Sequence, residues 1–561
     1  MIQNIIIVLA TVLIWSELRA AKSPLPKAAA TLQSVTKSPE VFNLQSDRPG
    51  QLTFFGSDTA NLFTKEVNES FKGALALDYV SKPDRKFPLG FLNASPAGQP
   101  WYGTMWTRDA GTCMRELVFW GYYAHACQVA QCVMDFVGTN SDGFIAFPRY
   151  FDPQKGRQSG SEMDGQASTI IAMVAMWQRL PAEDPFRARL YAFLHQNSSP
   201  VRGIDHFLEH GPLVPGSGEF GGGSHDAYNV VQNNLCALAL ISAANMEDEV
   251  GDHATAKFWR KDAKTLFHNI KKYLINNKGS WIWNIDPKTL KPNHTDSDSA
   301  TLGGSGGLNG VTSMSADVLG FNSSTWPWRG ALVNGRKTFE ELYNFPLRKE
   351  QFDKYGFWAQ MNYTHKGLLT SPSYGQGYAL QDMLLFDKLD MADHGLDFLA
   401  QTTYKAPDVI FKLNVGHKLY SYERLSPYYF YERMYSPDAQ GKIEMTAGCG
   451  PLNLVNVSEP LKVARLIAGV DDTSLKQVQI IPRLPSSWSG YRLINWPICT
   501  SHGIVRADIS FEKKDGAVNF KLQVEQGGSI PKLAVRLPTK KGTVWKYQAN
   551  VKEVQFDIAG H

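Results

Sequence analysis

The sequence predicts a mainly α-helical protein in which helical hairpins close into a toroid over residues 61–471, followed by an antiparallel β-sandwich over 472–561. Three observations carry this expectation. Polar, glycine-rich loops lead five times into a buried-looking apolar helix, and each time a wetter helix brings the chain back. After about Asp472 the texture changes to short alternating segments parted by turns such as Lys514-Asp515-Gly516 and Gln526-Gly527-Gly528. A composition 43% hydrophobic and 20% charged over 561 residues belongs to a folded chain too long for one ordinary core, although a helical toroid holds well over 300 residues in one unit (a rough figure).

The N-terminal run Ile5 to Trp15 is eleven apolar residues, too short to span a bilayer and suited to a secretory signal, so residues 1–21 are expected to be removed near Ala20 or Ala21. Residues 22–60 are rich in Ser, Pro and Lys. They predict an extended leader lying on the body of the protein, with one strand at Gln51 to Phe55. Apolar spacing then predicts a helix pair over Thr112 to Val137 broken near Gly121, and a second pair, Ala167 to Leu180 and Pro185 to Gln196. Tyr228 to Met246 and Asp252 to Ile275 make a third. Gly279 to Ser324 is expected to be a long insertion, with a weaker fourth pair between Ser315 and Leu347. Tyr374 to Leu389 with Ala392 to Thr403 gives a fifth, and Pro451 to Ala468 begins the last.

The net charge of +4 and the lack of basic runs of five or more argue against nucleic acid as a partner. Six cysteines in so long a chain make no disulfide scaffold; Cys113, Cys127 and Cys132 lie close together, and Cys127 and Cys132, five apart, are expected to pack helices, since no CxxC or HxxxH pattern lies beside them. No metal site and no cofactor are expected. Seven N-x-S/T sequons (Asn68, Asn93, Asn197, Asn293, Asn322, Asn362, Asn456) are glycan acceptors only in a eukaryotic host.

The chain is organised around Trp101 to Glu116, WYGTMWTRDAGTCMRE, which sets two tryptophans, a tyrosine and Arg108-Asp109 before an apolar helical run. Rings stack on the apolar face of a sugar, while a carboxylate and a guanidinium bind its hydroxyls. The plain alternative is that Asp109 complements a helix dipole and Arg108 is a surface charge. If the hairpins share an axis, their inner N-termini gather at one face. Thr107–Gly111, Ser161–Gln166, Gly223–Tyr228, Ser371–Gln376 and Thr446–Gly450 then converge on one pocket.

At these residues the chain resembles the six-hairpin glycosidases, the clan of glucoamylases, α-L-rhamnosidases and trehalases. Trp106-Thr107-Arg108-Asp109 is similar to the W-T-R-D that opens the glucoamylase barrel, and Asp164-Gly165 in EMDGQAS to that family's later acidic-Gly helix start. The likeness covers roughly residues 100 to 470, and Ile480-Ile481-Pro482-Arg483-Leu484-Pro485 followed by strands is similar to the sandwich closing rhamnosidase-type chains. The resemblance implies an (α/α)6 barrel and an inverting glycoside hydrolase with a carbohydrate substrate; with the N-terminal signal, the protein is expected to be secreted, metal-independent and monomeric, with no membrane partner once the signal is cleaved.

By the same resemblance Arg108 and Asp109 hold the terminal sugar. Trp106, Asp164, Tyr374 and Tyr431 are expected beside them as substrate-binding residues. The family's W-E-E acid sequence is absent here, which leaves Glu219 in GSGEFGGG or Asp226 in SHDAYN as general acid. Asp226 is equally an N-cap for a helix beginning near Tyr228, and Glu219 an exposed loop residue. For the general base the candidates are Glu432 in YYFYERMY and Glu444 in GKIEMTAG, with Glu423 behind them. Glu444 and Glu162 each also fit a simple helix-approach charge. Trp326, Trp328 and Trp358 are either outer subsites or core. Two other classes stay open: a polysaccharide lyase on the same toroid using Tyr374, His417 and Arg424, and a non-catalytic sugar-binding protein.

Overall fold

The computed structural model describes residues 42–559 except 82–86, 95–103, 153–156, 159–161, 217–226, 294–306, 366–367, 372, 406–410, 416–417, 423–430, 441–444 and 452–453; between 360 and 374 and between 402 and 456 it gives mostly backbone. The N-terminal apolar run and the leader up to residue 41 lie outside the described residues. Pro39–His561 forms a single compact unit.

Six helices form the inner wall: Thr107–Trp120, Met163–Arg179, Val230–Val250, Gly307–Leu319, Ser373–Leu385 and Leu454–Ala468. Each packs on the next, and the Leu454 helix packs back on the Thr107 helix, so the ring closes. Contacts at matched depth show that neighbours run parallel. A Cβ on Gly165, in the first turn of its helix, would stand 3.2 Å from the Arg108 nitrogen, in the first turn of the next. Asn234 Nδ2 donates to Val311 O (3.1 Å), each four residues into its helix. Gly377 abuts Glu459, and Arg465 Nη2 reaches Glu116 at 2.7 Å. All six N-termini therefore lie at one end of the barrel.

The returning helices are Tyr123–Asp135, Pro185–His195 with Pro200–His210, His253–Tyr273, Arg329–Tyr343 with Pro346–Tyr355, and Leu389–Lys405. Their local chemistry is legible. Asp184 and Ser199 cap helices that open with Pro185 and Pro200, whose missing N–H is not needed there. Gly121 takes φ 90° between the first two helices, a conformation that a Cβ would strain. The His253 helix buries Trp259, Ala263, Leu266, Phe267 and Ile270 at helical spacing and leaves its lysines wet.

Besides Pro200–His210 and Pro346–Tyr355, where no helix was expected, two elements differ from expectation. The fourth inner helix starts at Gly307, inside the stretch expected to be an insertion, because Leu308, Val311, Thr312 and Ser315 bury a face that composition alone disguises as loop. Residues 58–78, which span the expected boundary between leader and barrel at 60/61 and carry no expected helix, are one helix capped by Ser57; it packs against the Leu389 and Leu454 helices and completes the outer ring.

The C-terminal sheets pack as a sandwich. One has the order Gln51–Phe55, Gly490–Thr500, Gly503–Lys514, Ala517–Gln526, Glu553–Ile558; the other Val470–Asp471, Val478–Ile480, Ile530–Thr539, Gly542–Val551. The first strand thus arrives from the N-terminal side, and Leu52 and Phe54 fill the sandwich with Tyr491, Val505, Ile509, Phe511 and Phe520. The sandwich buttresses the barrel: Trp496 packs edge-on to Trp120 (5.0 Å), and Arg179 Nη2 meets Asp472 at 2.6 Å while Asp472 accepts from Cys499 N (2.7 Å). No helix among the described residues is long and apolar enough to cross a membrane.

Candidate active site

The first two inner helices approach closely because each carries a glycine near its start. A Cβ on Gly111 would meet Thr169 N at 2.9 Å, and one on Gly165 would meet the Arg108 backbone. That approach brings the two acidic helix starts, Arg108-Asp109 and Glu162-Met163-Asp164, side by side. Trp106 pairs with Tyr150 across a short antiparallel ladder, Thr107 N donates to Arg149 O (3.1 Å), and Thr107 Oγ1 donates to Pro148 O. Gln166 clasps Phe147 with both ends of its amide (3.2 and 3.0 Å). The 147–151 segment is fixed against both helix N-termini by these bonds.

Five charged groups meet there. Arg108 lies 3.5 Å from Asp109 through Nε, and 3.7 Å from Glu162 and 3.6 Å from Asp164 through Nη1. Arg149 Nε reaches the other Glu162 oxygen at 2.6 Å. Asp109, Glu162 and Asp164 are buried, and Arg108 is nearly so, whereas Arg149 is 39% exposed and forms the solvent side. Two cations face three carboxylates, so the group carries a formal charge of −1 at the positive end of two helix dipoles. Arg149 lies over the Trp106 ring (5.1 Å), and that ring lies 5.0 Å from Tyr150 at 40°. The result is a wall of two aromatic rings beside fixed carboxylates and guanidinium groups, able to stack a pyranose face and bind vicinal hydroxyls.

Of the residues singled out from sequence, the structure brings Trp106, Arg108, Asp109 and Asp164 together. Glu219, Asp226 and Glu444 lie outside the described residues, as do Glu423, His417 and Arg424. Glu432 and Tyr431 lie on Tyr431–Tyr435, a strand paired on one side with Leu368–Ser371, which leads into the Ser373 helix of Tyr374, and on the other with Met445–Pro451, which leads into the Leu454 helix. Their backbones therefore stand at the same end of the barrel as Arg108; their side chains are not described. Two alternatives are resolved. The N-cap position of the third inner helix, for which Asp226 was the alternative, is occupied by Asn229, accepting from Val231 N (2.9 Å) and Gln232 N (3.1 Å). Trp326, Trp328 and Trp358 are core: Trp326 Nε1 donates to Gly320 O, Trp328 stacks on Phe267 (4.5 Å), and Trp358 on Phe339 (5.0 Å).

Sequence reasoning passed over Arg149 and Tyr150, which reach the site only through strand pairing, and took Glu162 for an approach charge although it joins both arginines. It also missed a second polar layer deeper in the barrel. Arg115 contacts Glu116 (3.2 Å), Asp317 (3.0 Å) and Glu459 (3.1 Å). Lys462 holds Asp317 (2.6 Å), and Arg465 holds Glu116 (2.7 Å) and Asp317 (3.4 Å). Three cations balance three anions, all buried. Burial opposes ionisation of Asp317, but Arg115, Lys462 and Arg465 outweigh it and hold the carboxyl below the usual range. Burial pushes Lys462 down despite Asp317. Burial also pushes the Asp382 carboxyl, which faces Asn309, well above the carboxylate range against the pull of Lys462. The spacing Glu459, Lys462, Arg465 on an otherwise apolar helix was the available signal.

The fold is a six-hairpin (α/α)6 barrel with a closing sandwich, although no family model and no curated protein matches the sequence. Among solved structures, the α-L-rhamnosidase from Dictyoglumus thermophilum is similar at TM-score 0.55 and 10% identity, over 91% of this chain and 50% of that one. The GH78 family rhamnosidase of Bacillus sp. GL1 is similar at TM-score 0.52 and 11% identity, over 89% of this chain and 43% of that one. The chain thus spans half or less of these proteins' length, and at such identity the likeness is one of fold. A glucoamylase from Saccharomycopsis fibuligera aligns at TM-score 0.48 and 13% identity, covering 76% of this chain and 98% of that one.

Proposed function

We propose that this protein is a secreted glycoside hydrolase that cleaves terminal glycosidic bonds of oligo- or polysaccharides by general acid and general base carboxyls, with inversion. The observation that carries this reading is the Arg108, Asp109, Glu162, Asp164 and Arg149 group beside Trp106 and Tyr150 at the N-terminal mouth of the barrel. In this role Trp106 stacks on the terminal sugar, and Asp109 and Arg108 bind its hydroxyls, with Asp164 and Glu162 fixing the guanidinium. Such bonds hold the anomeric carbon in place and strengthen as the ring flattens toward an oxocarbenium ion. Glu219 or Asp226 supplies the proton to the leaving oxygen. Glu432 or Glu444 activates water from the opposite face, which inversion requires at a carboxyl separation of roughly 6.5–9.5 Å. Tyr374 and Tyr431 complete the sugar-binding wall. The location of Glu432 on a strand at the same barrel end supports its candidacy.

The test is a screen of aryl α-glucoside, α-rhamnoside and β-glucuronide substrates, with reducing-sugar release from polymers, on wild type and Asp109→Asn. Hydrolysis by wild type and a loss of kcat/KM of about a hundredfold or more in the folded variant are expected, the scale of a lost charge-assisted contact made in the transition state. Unchanged kinetics in the variant refute the assignment of Asp109. Unsaturated-product absorbance in place of reducing sugar would identify a lyase, and binding without turnover a non-catalytic protein.

A further inference from the structure

Away from the barrel mouth, the helix Pro200–His210 ends in His206-Phe207-Leu208-Glu209-His210. The i, i+3 and i+4 spacing puts two imidazoles and a carboxylate on one side of the last turn. One ligand atom from each of His206, Glu209 and His210 lies within 4.8 Å of the others. The two rings stand 4.6 Å apart at 77°, and His206 Nδ1 is 3.6 Å from a Glu209 oxygen.

The other nitrogen of His206 faces a different segment. Asp142 Oδ2 is 4.0 Å from Nε2. Asp142 sits on a turn that Asn140 organises, its Oδ1 accepting from Asp142 N (3.1 Å) and Phe144 N (2.9 Å), with Gly143 at φ 86°. Phe144 of the same turn packs on the His206 ring at 5.0 Å. The His206 ring therefore has a carboxylate 4.0 Å from one edge and an aromatic neighbour against it. Its second nitrogen is left directed at Glu209.

We propose that His206 Nδ1, His210 and Glu209 bind one Zn²⁺ ion at this surface, with water as the fourth ligand and Asp142 accepting the Nε2–H of His206. Two imidazole nitrogens and one carboxylate are a borderline donor set that suits Zn²⁺, at roughly 2.0–2.2 Å each, and is poorly matched to Ca²⁺ or Mg²⁺, which take all-oxygen shells. A carboxylate behind a ligating histidine fixes its tautomer and raises its basicity. The ligand atoms need to close by about 1 Å from 4.8 Å or less, within reach of side-chain rotation on an exposed turn. The His195, Glu247 and Asp252 group is the weaker candidate: Glu247 already binds Tyr191 (3.0 Å) and His195 (2.9 Å), and Asp252 caps the His253 helix.

All three protein ligands lie on the Pro200 helix, and the ion would reach the Asn140–Phe144 turn only through the approach of Asp142 to His206. The turn continues to Arg149 and Tyr150 of the candidate site, and the helix continues through Gly211 to residues 217–226. The proposal stands apart from the hydrolytic one, and its readout is binding alone. The full chain, freed of metal by dialysis against chelator, is titrated with Zn²⁺ by calorimetry and with Co²⁺ by visible absorption. About one equivalent with saturable binding is expected. His206→Ala and His210→Ala should each weaken it by about tenfold or more and abolish the Co²⁺ bands, and Asp142→Asn should weaken it by about tenfold. His253→Ala, at an exposed histidine elsewhere, should leave it unchanged. Absence of saturable binding overturns the proposal, as does binding retained in a folded His206→Ala/His210→Ala double variant.

Discussion

Replacing Asp317 by Asn keeps the shape of the side chain and removes one charge from the buried layer beneath the candidate site. Asp317 faces Lys462 at 2.6 Å, Arg115 at 3.0 Å and Arg465 at 3.4 Å, and only 3% of its side chain is exposed. The substitution leaves three cations against two carboxylates in a space that water does not reach. Breaking a buried ion group in this way costs about 3–5 kcal/mol, a large share of a typical domain's stability. The sign with pH follows from the direction of each shift. The depressed Asp317 carboxyl contributes stability above its unfolded pKa of roughly 3.9, and that contribution disappears as pH falls through the lower folded value. The wild-type advantage should therefore be full at neutral pH and shrink in acid. It should also narrow toward alkaline pH, because Lys462, already depressed by burial, can shed its proton in the variant. Urea titration followed by tryptophan fluorescence, with refolding checked, gives the difference. Asp353→Asn, at the exposed Lys349 pair, should cost less than about 1 kcal/mol. A loss below about 1 kcal/mol for Asp317→Asn at pH 7 would refute the view that this layer fixes the inner helices.

Further outcomes follow from the same geometry. Glu162→Gln, which weakens the hold on both Arg108 and Arg149 but leaves two cations facing two carboxylates, should lower kcat/KM at least about tenfold at a smaller stability cost than Asp317→Asn; equal activity would reduce Glu162 to a helix-approach charge. Gly111→Ala forces a Cβ to within 2.9 Å of a backbone nitrogen and should cost about 1–3 kcal/mol, measured by thermal or urea unfolding, with Gly165→Ala, at 3.2 Å, milder. Glu66 is fully buried and its carboxyl is pushed well above the usual range by burial, so its contribution is present below the unfolded pKa and lost as pH rises. The melting temperature of Glu66→Gln should accordingly gain on wild type as pH is raised from 5 to 8 (an order-of-magnitude window for a raised carboxyl); a constant difference would contradict it.

What the sequence by itself determined was local. Apolar spacing set most of the helices to within a few residues, and Gly121 and Pro185 marked their ends because backbone chemistry acts over one turn. The pairing of rings and charges at Trp106 to Asp109 was legible for the same reason: the residues are contiguous. The fourth inner helix was hidden because its buried face uses Ser, Thr, Asn and Gly, which read as loop until neighbours cover them. The Asp58 helix was hidden because its partners, the Leu389 and Leu454 helices, are over 300 residues away. Tertiary structure alone decided that Arg149 and Tyr150 join Arg108 and Glu162, and that Arg115 meets Asp317 and Glu459. Such contacts arise when six parallel helices close a ring, and a closed ring sets neighbours by depth along an axis, a coordinate that order along the chain does not contain.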